Sequence, residues 1–177
     1  MRVALVAATL LLMLVGAAPA ARIATLRPEG IGGVHFGLSK TQTVGELSAL
    51  LGAPTARGVN SGCGPRYTEV DWGDLAAEFR SGRFSGYRYL VGGYDFSLRG
   101  APRHTSKAAV PKLVTSTGVS LGSTLAELRA AYGSLRFVGT DRWRSPNGLV
   151  FTDDAEHDPE PATSRLIEIK IGTCGDF

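Results

Sequence analysis

Apolar residues recur at helical spacing in two short stretches of the chain, 44–51 and 125–132. Residues three and four apart lie on one face of a helix, so each stretch predicts a short amphipathic helix with one buried face. The positions that fit this spacing are Val44, Leu47, Leu50 and Leu51 in the first stretch, and Leu125, Leu128, Ala131 and Tyr132 in the second.

Both predicted helices have the same start and stop signals. A threonine precedes each stretch and a glutamate follows three residues later, which is the pattern of a capping box. A glycine follows the last apolar residue of each stretch and predicts the C-terminal end. These residues are Thr43, Glu46 and Gly52 for the first helix, and Thr124, Glu127 and Gly133 for the second.

Segments of alternating apolar and polar residues follow both helices, which is typical of half-buried strands. After the first helix they are 66–72, 75–80 and 83–89, separated by two-residue turns. After the second they are 135–138, 142–144, 149–152 and 165–171, and a polar loop, 153–164, replaces the last turn. Two-residue turns join antiparallel strands, so each series predicts an antiparallel meander.

The same elements occur twice because the chain contains an internal repeat. The block GVHFG at 33–37 recurs as GVSLG at 118–122, and the first copy carries four extra residues between this block and its helix. We therefore predict an α+β fold, a tandem repeat of a short helix followed by an antiparallel β-meander. The expected organisation is repeat 1 at 21–91, a connector at 92–117 and repeat 2 at 118–177, folding as one interdependent globular unit. Each copy alone is small for a stable core.

Strand alternation also assigns a face to each side chain. In 165–171 the isoleucines lie on one face, with Glu168 and Lys170 on the other. We expect the first face to be buried against a helix and the second to be solvated, as is common in antiparallel sheets. The residues predicted for the solvated face, which is our candidate binding face, are Glu69, Asp71, Glu78, Arg80, Arg88, Glu168 and Lys170.

Residues 1–20 have the features of a cleaved secretory signal peptide. Arg2 is followed by an apolar run from Val3 to Val15, and Ala18-Pro19-Ala20 fits a signal-peptidase site. The run is shorter than the roughly 20 residues that span a bilayer, although an uncleaved anchor is the alternative. We expect a secreted or extracytoplasmic bacterial protein with no membrane span after cleavage.

The charge balance excludes one class of partner. The chain has 19 Lys and Arg against 16 Asp and Glu, a net charge of +3. Nucleic-acid-binding proteins carry dense basic stripes, so we expect no nucleic-acid partner.

Only two cysteines occur, Cys63 and Cys174. Thiols outside the cytoplasm oxidise and persist as disulfides, and two cysteines allow one intramolecular pairing. We predict a Cys63–Cys174 disulfide; a free thiol or an intermolecular bridge is the alternative.

One motif matches a sequence pattern of hydrolases. Residues 118–122 match G-x-S-x-G, the nucleophile elbow, with Asp141 and His157 downstream of Ser120. Three observations argue against catalysis: the equivalent residue of the first copy is His35, no strand–helix alternation precedes Ser120, and few residues follow it. We predict that Ser120 is dispensable and that no residue is catalytic.

The remaining candidate chemistry is weak. Six charged or imidazole side chains cluster in 153–160, and these carboxylates either hold Ca²⁺ or form a solvated hairpin tip. The histidines lack metal-ligand spacing, so we expect no metal and no cofactor. Trp72 and Trp143 are either core anchors or ligand platforms. The cluster comprises Asp153, Asp154, Glu156, His157, Asp158 and Glu160.

The repeat resembles two protein groups. A glycine-introduced helix followed by a meander, present twice, is similar to the secreted β-lactamase-inhibitory-protein architecture. The pattern G-x-[ST]-x-x-E-L-x-x-x-x-G at 122–133 also resembles small outer-membrane lipoproteins of the barrel-assembly machinery. The resemblance covers most of 31–172 and implies non-catalytic proteins that bind other proteins. The chain departs from the inhibitors because it has one cysteine in each copy and lacks their dense aromatic face.

We therefore expect a secreted, non-catalytic protein-binding module whose partner is an extracellular or cell-envelope protein. The alternative is a small-ligand binder or hydrolase that uses a cleft between the two repeats. A deep pocket with convergent polar groups would favour this alternative.

Overall fold

The computed structural model describes residues 24–60, 66–92, 112–139, 141–155 and 162–172. Within these ranges the fold is α+β, with two helices and two sheets of mainly antiparallel strands. The expected signal peptide, both cysteines and most of the connector lie outside the described residues. The helices are α1 (Lys40–Leu51) and α2 (Leu125–Tyr132), and the strands are β1 (Thr25–Arg27), β2 (Gly30–Ile31), β3 (Val34–His35), β4 (Ala56–Asn60), β5 (Tyr67–Trp72), β6 (Leu75–Arg80), β7 (Arg83–Leu90), β8 (Val114–Thr115), β9 (Arg136–Gly139), β10 (Arg142–Arg144), β11 (Val150–Asp153) and β12 (Leu166–Ile171).

Helix α2 begins as predicted and α1 does not. The Thr124 hydroxyl accepts from the backbone N–H of Glu127, whose carboxylate accepts from the backbone N–H of Thr124. In α1 the predicted N-cap, Thr43, is wrong: the cap is Ser39, which forms the capping box with Gln42. Thr43 lies buried in the first turn, where its hydroxyl donates to the Ser39 carbonyl.

The earlier start of α1 relocates the four extra residues of the first half. Ser39 follows Gly37 by two residues, as Thr124 follows Gly122, so the two caps have the same spacing from their glycines. The difference is in helix length, with 12 residues in α1 and 8 in α2. The expectation that these residues separate the glycine block from the helix is therefore wrong; they lengthen the helix.

The larger sheet has eight strands in the order β4-β5-β6-β7-β12-β11-β10-β9. All seven predicted strands are present within it. The eighth, β4, was not predicted because Ala56–Asn60 contains little apolar alternation. Two meanders meet at the centre of this sheet, where β7 pairs antiparallel with β12, Tyr89 opposite Ile169 and Arg88 opposite Lys170.

The smaller sheet has four very short strands in the order β3-β2-β1-β8. Its only parallel pair joins β1 to β8 and thus links the N-terminal part of the chain to the region before α2. Strand β2 requires glycine at position 30, because a Cβ there would clash with the Val34 carbonyl oxygen of the adjacent strand β3.

Several backbone contacts of the first half have counterparts in the second. The N–H of Gly37 donates to the Phe84 carbonyl, and the N–H of Gly122 donates to the Leu166 carbonyl. The same two glycines also accept hydrogen bonds through their carbonyls. The Arg83 guanidinium donates to the Gly37 carbonyl, and the Arg165 guanidinium donates to the Gly122 carbonyl.

The main core lies between the helices and one face of the larger sheet. Leu47 of α1 and Leu125 and Leu128 of α2 are fully buried against it. Trp72 is 1% exposed, and its indole N–H donates to the Gly52 carbonyl, which identifies it as a core anchor. None of the helices in the described ranges is long and apolar enough to cross a membrane.

Candidate functional site

The predicted binding residues lie on the face of the larger sheet opposite the main core. Register places Glu69 opposite Glu78 and Arg88 opposite Lys170. Tyr67, which was not predicted, lies on the same face. We call the predicted residues together with Tyr67 the charged layer, and it comprises Tyr67, Glu69, Asp71, Glu78, Arg80, Arg88, Glu168 and Lys170.

The expectation that the charged layer is solvated is wrong. Glu78 is 0% exposed and Glu69 is 5% exposed, and Asp71, Glu168 and Lys170 are also buried. The residues lie on interior strands of one continuous sheet, where side chains of neighbouring strands flank them on both sides. Opposite charges pair within the layer, and this pairing offsets part of the desolvation cost of their burial.

Arg88 is at the centre of the acidic part of the layer. Its Nη2 lies 2.7 Å from Glu69 Oε1 and 3.3 Å from Glu78 Oε1. Burial alone would lower the pKa of Arg88, but the carboxylates of Glu69 and Glu78 outweigh it and raise that pKa. The guanidinium therefore stays charged and holds together two carboxylates that would otherwise repel each other across β5 and β6.

A second pair lies beside it on β12. Lys170 Nζ is 3.1 Å from Glu168 Oε2, and the Thr152 hydroxyl donates to the same carboxylate oxygen at 2.8 Å. Sequence reasoning missed Thr152, although its place in the alternation of 149–152 puts it on this face.

Tyr67 lies at the end of the charged layer that is next to β4. Burial, followed by the negative charges of Glu78 and Glu69, raises the pKa of the phenol to about 12, although a hydrogen bond with Arg88 opposes the shift. The Arg80 guanidinium lies 6.0 Å from the centroid of the Tyr67 ring, within range of a cation–π contact.

The far end of the same face is basic, which sequence reasoning did not identify. Register continues the rows of the charged layer through β11 to Arg142 and Arg144 on β10. Arg144 is directly opposite Arg136 of the edge strand β9. Glu69 and Asp71 occupy the second strand from one edge of the sheet and Arg142 and Arg144 the second strand from the other, so the face changes sign along its length.

Ser120, the hydrolase candidate, is 1% exposed. Its hydroxyl donates to the Leu113 carbonyl at 2.7 Å, and its backbone N–H donates to the Ser123 hydroxyl. A nucleophile needs a base within hydrogen-bond reach and access to substrate. The hydrogen bonds of Ser120 instead stabilise the turn that precedes α2.

The acidic cluster is only partly described, since 156–160 lies outside the described residues. Asp153 is 1% exposed and accepts from the indole N–H of Trp143 at 3.1 Å. Asp154 accepts from the backbone N–H of Arg165. Both carboxylates therefore have structural contacts, and the described residues contain no group of three or more side chains placed to hold a metal.

Trp143 differs from Trp72 because it is only half-buried. The Phe137 ring centroid lies 5.0 Å from that of Trp143, with 59° between the planes. The Arg129 guanidinium lies 4.8 Å from the Trp143 ring centroid. Phe137 is 44% exposed, so the stack of Phe137, Trp143 and Arg129 reaches the surface beside the edge strand β9.

No family model, curated protein or solved structure matches the chain. The resemblance to the inhibitory proteins and the assembly lipoproteins therefore rests on the repeat and its glycine–helix motif alone.

Proposed function

We propose that the protein is exported and that its two halves are copies of one helix-plus-meander unit. The paired contacts of Gly37 and Gly122 with the last strand of their own halves support the repeat. Two bulges support it further. In the first half the register of the β6–β7 pair shifts between Glu78 and Phe79. In the second half the register of the β11–β12 pair shifts between Thr152 and Asp153. Both shifts occur where a strand pairs with the last strand of its half. Export is supported by the N-terminal sequence and by the pair of cysteines.

The function we infer is non-catalytic binding of another protein, outside the cytoplasm. The observation that carries it is that three described side chains capable of chemistry make internal contacts. Ser120 donates to a backbone carbonyl, Asp153 accepts from an indole, and Arg88 pairs with two carboxylates. An enzyme needs such groups directed at a substrate.

The charged layer takes a structural role in this proposal. Buried ion pairs contribute little net stability compared with apolar side chains. Removal of one partner is nevertheless strongly destabilising, because it leaves the other charge buried without compensation. Contact with a partner is left to exposed parts of the surface, where the large apolar side chains of the described residues are Val59, Val91 and Phe137.

Affinity capture with the oxidised, mature protein tests this function. Culture medium and envelope extract are passed over the immobilised protein, and a captured protein is then purified and titrated against it by calorimetry. We expect saturable binding at fixed stoichiometry. A fluorophosphonate probe and an ester panel test the hydrolase alternative in parallel: labelling of Ser120, or turnover that is lost in Ser120→Ala, would contradict the proposal.

A further inference from the structure

The two edges of the larger sheet are alike in geometry but differ in character. Strands β4 and β9 end the sheet, and no described strand pairs with the outer side of either. Each carries one exposed apolar side chain, Val59 on β4 and Phe137 on β9, both 44% exposed. An unpaired edge offers backbone N–H and C=O groups to any strand that can lie beside it.

Among the described residues, the β9 edge has an aromatic anchor that the β4 edge lacks. Phe137 packs on Trp143 at 5.0 Å between ring centroids, and Arg129 of α2 covers the other part of this stack. The indole N–H of Trp143 is fixed by the buried Asp153 carboxylate. Aromatic side chains held in place by packing lose little conformational freedom on binding, and for this reason they recur as interface anchors.

The β9 edge is also the basic end of the sheet. Arg136 is exposed on this strand and is directly opposite Arg144, so two like charges are adjacent. A carboxylate on an added strand would lie next to the exposed Arg136, at a distance that allows an ion pair. At the other end the strand inside the edge carries the buried acidic residues Glu69 and Asp71, a less favourable neighbourhood for the same carboxylate.

We propose that β9 accepts an extended acidic segment of a partner protein as an added strand, with an apolar side chain of that segment packed against Phe137 and Trp143. The inference rests on the proposed binding function and specifies its partner. The edge comprises four residues, Arg136–Gly139, so the added segment pairs over a similar length. Its main-chain hydrogen bonds give affinity, and its carboxylates select the basic edge over β4.

A second copy of the chain fits this edge less well. Pairing of two β9 strands would bring Arg136 and Arg144 of one copy close to the same residues of the other. Pairing of β9 with the β4 strand of another copy would bring the exposed Arg57 next to Arg136 when the helices of the two copies lie on opposite sides of the joined sheet, because Arg57 lies on the core face and Arg136 on the other. Like charges directly opposite destabilise a strand pair.

Labelled octapeptides test the inference on the mature protein. One probe is a peptide mixture that alternates Glu with Val, Ile, Phe or Tyr, and its control replaces Glu with Lys. Dissociation constants are measured by fluorescence anisotropy. The variants are Arg136→Glu and Phe137→Ser on β9, matched by Arg57→Glu and Val59→Ser on β4, and circular dichroism checks that each variant is folded.

We expect the natural chain to bind the Glu peptides at least about tenfold more tightly than the Lys peptides, a difference of about 1.4 kcal/mol. Arg136→Glu should reverse this preference, which loss of folding cannot do, and Phe137→Ser should weaken both peptides. The β4 variants should change binding less than about twofold.

Several results would overturn the inference: equal affinity for the two peptide sets, no binding of either, or sensitivity to the β4 variants alone. Self-association that Arg136→Glu abolishes would assign the edge to a second copy instead. A captured partner whose affinity is unchanged by Arg136→Glu and Phe137→Ser would leave the proposed binding function standing while rejecting this edge. If no protein is captured, the proposed binding function is contradicted, whereas the measured peptide affinities still decide whether the β9 edge accepts an acidic strand.

Discussion

At the scale of single residues, Arg88 determines whether the charged layer is stable. Glu69 and Glu78 face each other on adjacent strands, and both contact the same guanidinium. Charges removed from water interact more strongly than surface charges, because the effective dielectric constant around them is lower. Removal of the cation therefore leaves two buried carboxylates that repel each other.

Arg88→Met removes the charge and keeps most of the side-chain volume. We expect the free energy of unfolding to fall by about 3–5 kcal/mol, as for other buried pairs that lose one partner. Urea denaturation measures the change. Arg57→Met on the exposed part of β4 is the matched control and should stay within about 0.5 kcal/mol of the natural chain. A cost for Arg88→Met as small as that of the control would show that the layer does not depend on its central cation.

Tyr67 reports the charge of the layer through its own titration. Its pKa is raised to about 12, above the ordinary value of 10.0 that the unfolded chain retains. The neutral phenol is thus favoured in the folded state, so this contribution to stability is complete below pH 10 and is lost as the pH rises toward 12. Glu78→Gln removes a negative charge and should lower the pKa of Tyr67. Tyrosinate absorbance, with Tyr67→Phe to assign the signal, measures both effects; an unchanged pKa in Glu78→Gln would contradict them.

At the scale of elements, the helix periodicity predicted both helices but placed one start incorrectly. Two threonines with glutamates three residues on matched the capping-box pattern equally well, yet only Thr124 is a cap. Ser39 with Gln42 forms an equally good box one turn earlier, and with the helix beginning there Thr43 is buried in its first turn. Local signals thus identified the helix, and packing selected its first residue.

Ser39→Ala tests the observed start of α1. Loss of an N-cap hydroxyl typically costs about 1 kcal/mol, and the amide of Gln42 should lose protection from hydrogen exchange. Thr41→Ala, two residues further along the chain and exposed, is the control and should change stability little. An unaffected Gln42 amide in Ser39→Ala would restore Thr43 as the cap.

The strands of the meanders were predictable because alternation extends over enough residues to be recognised. Strands β1, β2, β3 and β8 have two or three residues each, too few for a period of two to be visible. They form through long-range pairing, such as Thr25 with Val114. Alternation also assigned the charged residues to their common face, but it reports only which side chains share a face and not whether water reaches them.

The absence of a side chain at Gly86 allows the central strands β7 and β12 to approach each other. A Cβ at Gly86 would lie 2.6 Å from the Ile171 carbonyl oxygen and 2.7 Å from that of Gly172. Because both contacts are to backbone, Gly86→Ala should move β7 away from β12 and lower the free energy of unfolding by about 1–3 kcal/mol. Gly45→Ala is the control, because that helical position has open space and should gain about 0.5–1 kcal/mol. Equal effects of the two substitutions on thermal unfolding would argue against a close approach at Gly86.

At the scale of the whole molecule, the halves share both sheets. Strand β7 of the first half pairs with β12 of the second over four residue pairs, from Tyr87–Ile171 to Leu90–Glu168. Strand β1 also pairs with β8, which lies at the C-terminal end of the predicted connector. Separation of the halves would therefore expose two central strand edges and the charges of Arg88 and Lys170 that lie beside them.

We predict that the polypeptides 21–100 and 101–177 are each poorly folded alone. Each retains one short helix and a few strands, a size at which only a marginal fraction of the chain surface is buried. Mixed together, they should recover β-sheet circular dichroism with a dependence on concentration, because the β7–β12 pair then forms between molecules. The intact chain should unfold in a single transition.

Replacement of both Cys63 and Cys174 by Ser extends the same argument. If the predicted disulfide joins the halves, stability should fall by roughly 2–4 kcal/mol while unfolding remains a single transition. Peptides containing the two cysteines should stay linked by mass spectrometry until reduction, and two alkylatable thiols in native protein would reject the link.

If either half alone gave a dispersed NMR spectrum and cooperative melting, the shared sheets would not be required for folding. The chain would then consist of two independent domains, and the β7–β12 pair would be a contact between them.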